Sequence, residues 1–159
     1  SYGIWEVDRV GSTWSTPEFA TDGMYVSATH DGSIYLTDIS GQTRGGIVKL
    51  TLKDDEFLEP IRLGGGVNTP VNGVHPCISP DERFLLFDCY RKEGFGGDGD
   101  LYVAFHDADG NWSDAYNLGG KVNGPGIDFC ASLSPDGKYI FYTKNKEMQK
   151  NVVFSKFLL

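Results

Sequence analysis

Three histidines are the side chains in this chain best suited to proton transfer or metal binding, because imidazole changes charge near neutral pH. They are His30, His75 and His106. The sequence contains no His-Glu-x-x-His metal motif, no Gly-x-Ser-x-Gly nucleophile motif and no P-loop. His30 falls in a predicted turn and His106 at a strand end, whereas His75 opens a predicted strand. We therefore predict no catalytic residue and take His75 as a candidate binding residue, with a structural, hydrogen-bonded role as the alternative.

Two acidic clusters resemble the beginning of a metal-binding loop without completing one. Residues 107–111 begin like a calcium loop, but the twelfth position is Leu118 rather than the bidentate glutamate of an EF-hand. Asp98 and Asp100 flank a glycine and could hold a hard cation, although a solvated turn explains them as well. Asp128 precedes a predicted strand, and we expect it to bond turn amides, with ligand binding as the alternative. No metal and no cofactor are predicted.

The cysteines Cys77, Cys89 and Cys130 are odd in number and lack the spacing of a metal motif. We interpret them as core or channel thiols and leave open a bridge between neighbouring strands. A small aromatic and basic patch follows at Tyr90, Arg91 and Lys92. It is interpreted either as solubilising loop charge or, through Arg91, as the rim of a site for an anionic or carbohydrate ligand.

Composition limits the partners that this chain can have. Its 159 residues carry 14 Lys and Arg against 22 Asp and Glu, a formal net charge of -8. Binding to nucleic acid or to an anionic membrane needs clustered cations, so neither partner is expected. No apolar run approaches the roughly 20 residues of a membrane span, so membrane insertion is not predicted either. The compartment stays open, because a chain that begins with Ser1 can have been processed.

A sequence repeat is the strongest architectural signal. Residues 54–88 align without a gap onto residues 109–143, and a repeat of this period indicates units that bury their faces against their neighbours. The identical pairs are Asp54/Asp109, Leu63/Leu118, Gly64/Gly119, Gly65/Gly120, Val67/Val122, Asn68/Asn123, Pro70/Pro125, Ser79/Ser134, Pro80/Pro135 and Asp81/Asp136.

Short β-rich segments between turn residues predict an all-β protein. In residues 134–138, Ser-Pro-Asp-Gly-Lys, the proline fixes φ, the aspartate accepts a backbone N–H and the glycine takes a positive φ, which predicts a tight hairpin. Residues 79–83 and, in a diverged third copy, 29–33 occupy the same place. The predicted strands are Ile4–Val7, Met24–Ala28, Ile34–Thr37, Ile47–Leu52, His75–Ile78, Phe84–Asp88, Leu101–His106, Trp112–Tyr116, Phe129–Leu133, Tyr139–Thr143 and Val152–Phe157.

The Ser-Pro-Asp-Gly-Lys hairpin followed by an aromatic-aliphatic strand resembles the TolB-type, or Pro-Asp, WD-repeat-like β-propeller repeat. The resemblance implies antiparallel four-stranded blades around a channel, about three of them in this single domain, with approximate repeats at 1–43, 44–98 and 99–159. It also implies that Tyr25, His75 and Cys130 occupy equivalent places on the innermost strands, near the channel or its rim.

Repeats without a catalytic motif favour a non-enzymatic binding or protein-interaction module, with a protein, small-molecule or carbohydrate ligand. The alternative is the propeller portion of a hydrolase or lyase acting on peptides or oligosaccharides. Because propellers have four to eight blades, three repeats are expected either to belong to a larger protein or to complete a ring as a homodimer. The resemblance favours a bacterial periplasmic or secreted setting.

Overall fold

The computed structural model describes residues 3–40, 45–91, 94, 99–146 and 149–156, with side chains described as far as residue 144. Lys92, Asp98 and Phe157, which figured in the predictions above, lie outside these residues. The described residues form seventeen β-strands and no helix, so the prediction of an all-β protein is confirmed. None of them, accordingly, belongs to a helix of the length and apolarity that a bilayer crossing requires.

The strands of the first half of the chain are β1 (Ile4–Glu6), β2 (Arg9–Val10), β3 (Thr13–Trp14), β4 (Glu18–Thr21), β5 (Met24–Ala28), β6 (Ile34–Asp38), β7 (Gly46–Leu50), β8 (Leu52–Lys53), β9 (Glu56–Phe57) and β10 (Ile61–Arg62). Those of the second half are β11 (Val74–Ile78), β12 (Phe84–Cys89), β13 (Asp100–Phe105), β14 (Tyr116–Asn117), β15 (Ile127–Leu133), β16 (Tyr139–Lys146) and β17 (Gln149–Lys156).

Two complete four-stranded antiparallel sheets form the centre of the described structure. Their strand orders are β5-β6-β7-β10 and β11-β12-β13-β14, as expected for propeller blades. A two-stranded sheet, β1-β4, precedes them and a three-stranded sheet, β15-β16-β17, follows them. The pairs β2-β3 and β8-β9 are small hairpins, the first inserted between β1 and β4 and the second between β7 and β10. The predicted repeat boundaries at 43/44 and 98/99 stay a prediction, because a repeat can be divided at any loop.

Strand β12 joins two hydrophobic cores, because both of its faces are covered. All of Phe84–Cys89 is buried. Alternation along the strand places Leu85 in a core shared with Tyr35 of the preceding sheet. It places Leu86 in a second core shared with Ile140 of the following sheet. Each leucine is fully removed from water, and such burial is worth about 1.5–3 kcal/mol. The sheets are therefore stacked face to face, as the absence of polar alternation in this segment predicted.

The repeated asparagines hold the third strand of each sheet. The Asn68 side chain accepts a hydrogen bond from the N–H of Ile47 (2.9 Å) and donates to its carbonyl oxygen (2.8 Å). Asn123 does the same to Leu101, with both bonds at 2.9 Å. Both asparagines are buried. A buried amide that satisfies a strand backbone in two directions explains why both repeats carry this residue.

The predicted Pro-Asp hairpins are confirmed. The Asp136 carboxylate accepts the N–H of Lys138 at 3.2 Å, and the carboxylate of Asp81 accepts that of Arg83 at 3.3 Å. Gly137 has a φ of 69°, in the left-handed region that glycine adopts without a steric penalty.

One predicted strand is wrong. Of Trp112–Tyr116, only Tyr116 belongs to a strand, β14, while Trp112 forms an isolated bridge with His106. The cause is Ser113, whose N–H donates to the carbonyl of Phe105 and whose hydroxyl accepts the N–H of Phe105. Because the serine hydroxyl takes the place of a backbone acceptor for the Phe105 N–H, the strand pairing does not continue along this segment.

Candidate functional site

The three residues that the repeat register placed at equivalent positions share one unusual backbone conformation. The φ angles of Tyr25, His75 and Cys130 are 57°, 52° and 54°. Each lies where the pairing register between the first and second strands of its sheet shifts. A positive φ is uncommon for residues other than glycine and recurs at bulges and functional sites. The three innermost strands are therefore bent in the same way at the same place.

These bends bring the three side chains to one cavity. The rings of Tyr25 and His75 meet edge to face, with centroids 4.0 Å apart and planes at 73°. The Phe129 ring lies 6.1 Å from His75 on the other side. The cavity has a volume of about 150 Å³ and is lined by Tyr25, Val26, His75, Pro76, Cys130 and Ala131. We call this the inner-strand cavity, and each of three sheets contributes two residues to it.

A buried carboxylate beneath the inner-strand cavity links its members. Asp88 is 5% exposed, and its two oxygens lie 2.9 and 3.0 Å from Nδ1 of His75. One of these oxygens also accepts the N–H of Cys130 at 3.0 Å. Burial raises the pKa of Asp88, while His75 and the Cys130 N–H lower it.

Sequence reasoning missed Asp88 as part of the site. The available signal was an acid within the otherwise apolar segment Phe84–Cys89, because a buried charge needs a partner. A similar link exists one sheet earlier, where the N–H of His75 donates to the hydroxyl of Thr37 at 2.9 Å. In both cases a polar side chain near the end of the second strand of one sheet accepts the N–H of the bent residue in the first strand of the following sheet.

The thiol of Cys130 is not activated as a nucleophile. Burial and the nearby charge of Asp88 raise its pKa to about 11, and a hydrogen bond with Tyr25 opposes this only in part. The neutral thiol is the form present at neutral pH, whereas catalytic cysteines require a lowered pKa. The chemistry that Cys130 offers in this cavity is therefore that of a small, polarisable contact surface.

The other predicted binding residues, Asp128 and Arg91, do not line the inner-strand cavity. Asp128 is fully buried, accepts the N–H of Gly124 at 2.7 Å and lies 3.4 Å from Nζ of Lys144. Burial raises the pKa of Asp128, and the Gly124 amide and Lys144 lower it. Such a carboxylate fixes the turn before β15.

Arg91 packs against β12, β13 and the loop between β10 and β11. Its guanidinium lies 4.8 Å from the centre of the Tyr102 ring, and its Nε is 3.0 Å from Sγ of Cys89. It also donates to the carbonyl oxygen of Gly66. These contacts hold the guanidinium in place, and binding of an anionic or carbohydrate ligand by Arg91 stays a prediction.

The remaining candidates have structural surroundings. His106 stacks on Trp112 with ring centroids 4.7 Å apart. Cys77 and Cys89 are buried, burial raises the pKa of each thiol to about 11, and all three cysteines are free. Within the described ranges, no three His, Cys, Asp or Glu side chains stand close enough to hold a metal ion.

A scan against protein-family models gave no match, and neither did a search of curated proteins. Solved structures do resemble the chain. TolB from Acinetobacter baumannii matches 89% of it with a TM-score of 0.57 and 19% identity. An exo-1,5-alpha-L-arabinanase from a bovine ruminal metagenomic library matches 97% of it with a TM-score of 0.56 and 14% identity.

The chain folds as part of a β-propeller. It covers 32% of the TolB chain and 64% of the arabinanase chain, so it corresponds to only some blades of either. Identities this low establish the fold, which binding proteins and enzymes share, and leave function to be argued from the site.

Proposed function

We propose that this propeller module is a non-enzymatic binding module whose protein or carbohydrate ligand inserts one group into the inner-strand cavity. The observation that carries the proposal is that Tyr25, His75 and Cys130 converge on one cavity. Each comes from a different sheet and has a left-handed backbone conformation. Backbone strain at three equivalent positions costs stability, and strain of this kind is concentrated at ligand-binding sites.

The chemistry of the cavity supports recognition rather than reaction. The Tyr25 side chain is 49% exposed and offers an aromatic surface beside Val26, which is 47% exposed. With Nδ1 of His75 held by Asp88, Nε2 is the ring nitrogen that a ligand can bond. A volume of 150 Å³ equals that of about five water molecules in the liquid, which suits a single side chain or sugar ring.

The TolB-type repeat is the family we propose for the chain. Its support is the fold shared with TolB, together with hairpins in which a proline and a capping aspartate occupy the same turn positions. A bacterial periplasmic or secreted setting is proposed on the same grounds.

Peptide and glycan arrays probed with the purified chain test the binding proposal. Truncating Tyr25 to alanine removes the exposed aromatic surface and should abolish the binding that the unmodified chain shows. The matched control is Tyr116→Ala, which truncates an exposed tyrosine on the outer strand β14 and should leave binding unchanged. Binding that survives Tyr25→Ala, or arrays on which nothing binds, would contradict the proposal.

A hydrolase portion is the second candidate, and the arabinanase among the similar structures is the observation in its favour. Release of sugar from linear 1,5-arabinan by the purified chain would support it over the binding module.

We also propose a homodimer that adds a second arc of inner strands to the channel. Light scattering at several concentrations tests this idea, and a constant monomer mass would contradict it.

A further inference from the structure

A second and larger cavity lies at the other end of the innermost strands. It has a volume of about 560 Å³ and is enclosed by the hairpins of residues 79–83 and 134–138. Cys77, Phe84 and Leu133 supply apolar surface, and Ser132 lies beside them. We call this space the hairpin cleft. Its volume falls within the range of 300–1,000 Å³ that is typical of ligand sites.

The hairpin cleft lies where a proline removes a hydrogen-bond donor. Between the first two hairpins, the N–H of His30 donates to the carbonyl oxygen of Pro80 at 2.9 Å. In the repeat, Pro80 takes the place of His30 and Pro135 the place of Pro80. Pro80 has no N–H, so the equivalent bond to Pro135 cannot form. Among the backbone hydrogen bonds in the part of the chain that the structure describes, none reaches the Pro135 carbonyl oxygen.

The charges at the mouth of the hairpin cleft are balanced within each hairpin. Asp81 pairs with Nε of Arg83 at 2.5 Å, and Asp136 pairs with Nζ of Lys138 at 3.2 Å. Both pairs are exposed and add little attraction for a charged ligand. Besides these pairs, the lining consists of apolar surface, of polar side chains that include His30 and Ser132, and of the Pro135 carbonyl oxygen.

We propose that the hairpin cleft binds a peptide segment. One peptide N–H donates to the Pro135 carbonyl oxygen, in place of the donor that Pro80 lacks, and an adjacent apolar side chain packs on Cys77, Phe84 and Leu133. A peptide supplies both groups at a fixed short separation. A carbohydrate would bury part of its hydroxyl surface against Cys77, Phe84 and Leu133, where a peptide places an apolar side chain.

The test is an amide chemical-shift titration of the ¹⁵N-labelled chain with N-acetyl-L-phenylalaninamide, which carries amide donors and one apolar side chain. Ligand-efficiency limits for a molecule of this size place its Kd on the order of 1 mM. Saturable shifts should appear in residues 79–84 and 132–137. Shifts confined to the residues of the inner-strand cavity, or no saturable shift, would overturn the proposal, as would equal binding of cellobiose in the hairpin cleft.

Variants decide whether the missing donor matters. Pro80→Ala restores an N–H at the position where His30 donates, and it should weaken probe binding about tenfold, the effect of about one hydrogen bond. Pro17→Ala is the control, because it makes the same substitution at an exposed proline that does not line the cleft and should bind normally. Ser132→Trp fills the cleft from an exposed position and should abolish binding even if Pro80→Ala does not fold. Unchanged binding by Ser132→Trp, or by folded Pro80→Ala, would overturn the proposal.

Discussion

Nδ1 of His75 lies 2.9 and 3.0 Å from the two carboxylate oxygens of Asp88, which stands on the strand paired with that of His75. Because the same carboxylate accepts the Cys130 N–H, a single buried acid fixes one ring of the inner-strand cavity and connects two sheets. The ring of Tyr25, from a third sheet, contacts that of His75 edge to face. The geometry of the cavity therefore depends on Asp88, a residue that does not line it.

Removing this carboxylate should destabilise the protein. Asp88→Ala leaves the Cys130 N–H and His75 without their buried partner, and we expect the free energy of unfolding to fall by about 1–3 kcal/mol. Asp88→Asn keeps one acceptor oxygen and should cost less. Urea denaturation measures both, with the exposed Glu59→Gln as control. Equal stability of Asp88→Ala and the control would show that the contact contributes nothing.

The left-handed conformation at Cys130 should make this position intolerant of branched side chains. Relative to Cys130→Ala, Cys130→Val should lose about 1–3 kcal/mol of unfolding free energy, because a branched Cβ clashes with the backbone at positive φ. The same comparison at exposed Ser132, in the same strand, should show no such penalty. A similar difference at both positions would mean that strain at Cys130 is not the cause.

The asparagine that holds β13 should be essential for the stability of its sheet. Asn123→Ala leaves the buried N–H of Leu101 without its acceptor, while the Leu101 carbonyl oxygen keeps only the N–H of Leu118, and we expect a loss of about 1–3 kcal/mol in thermal or urea unfolding. Asn111→Ala, in an exposed turn, should stay within about 0.5 kcal/mol of the unmodified chain. A loss at Asn123 no larger than this would contradict the role we assign to it.

The Pro-Asp hairpin should make part of the stability dependent on acid pH. Hydrogen bonds from the Ser134 hydroxyl and the Lys138 N–H lower the pKa of Asp136 to about 2, from 3.8 in the unfolded chain. A lowered folded-state pKa contributes stability above pH 3.8 that is lost as the pH falls through 2. The deficit of Asp136→Asn in unfolding free energy should therefore be present at pH 5 and shrink towards pH 2. Ser134→Ala should reduce that deficit, and a deficit independent of pH would contradict the assignment.

Local chemistry made much of the fold predictable. Gly137 and Asp136 specify a hairpin by themselves. The gapless repeat placed His75 and Cys130 in equivalent positions, the diverged third copy added Tyr25, and the structure displays the φ that they share. These inferences needed only short-range rules and a period.

What could not be predicted depends on contacts between distant segments. Asp88 acts through a residue of the next sheet, and Arg91 lies over the ring of Tyr102. Trp112 was misassigned because the bonds of Ser113 to Phe105 outweighed the β propensity of the aromatic residue. Tertiary partners of polar groups decided all three cases, and a single sequence does not reveal them.

The most direct test of the binding account maps the contact surface of the strongest array-selected ligand by amide shifts of the ¹⁵N-labelled chain. The account predicts that saturable changes are centred on Tyr25, His75 and Cys130 and are lost in Tyr25→Ala but not in Tyr116→Ala. Changes centred on the outer strands, with the inner-strand cavity unaffected, would contradict it.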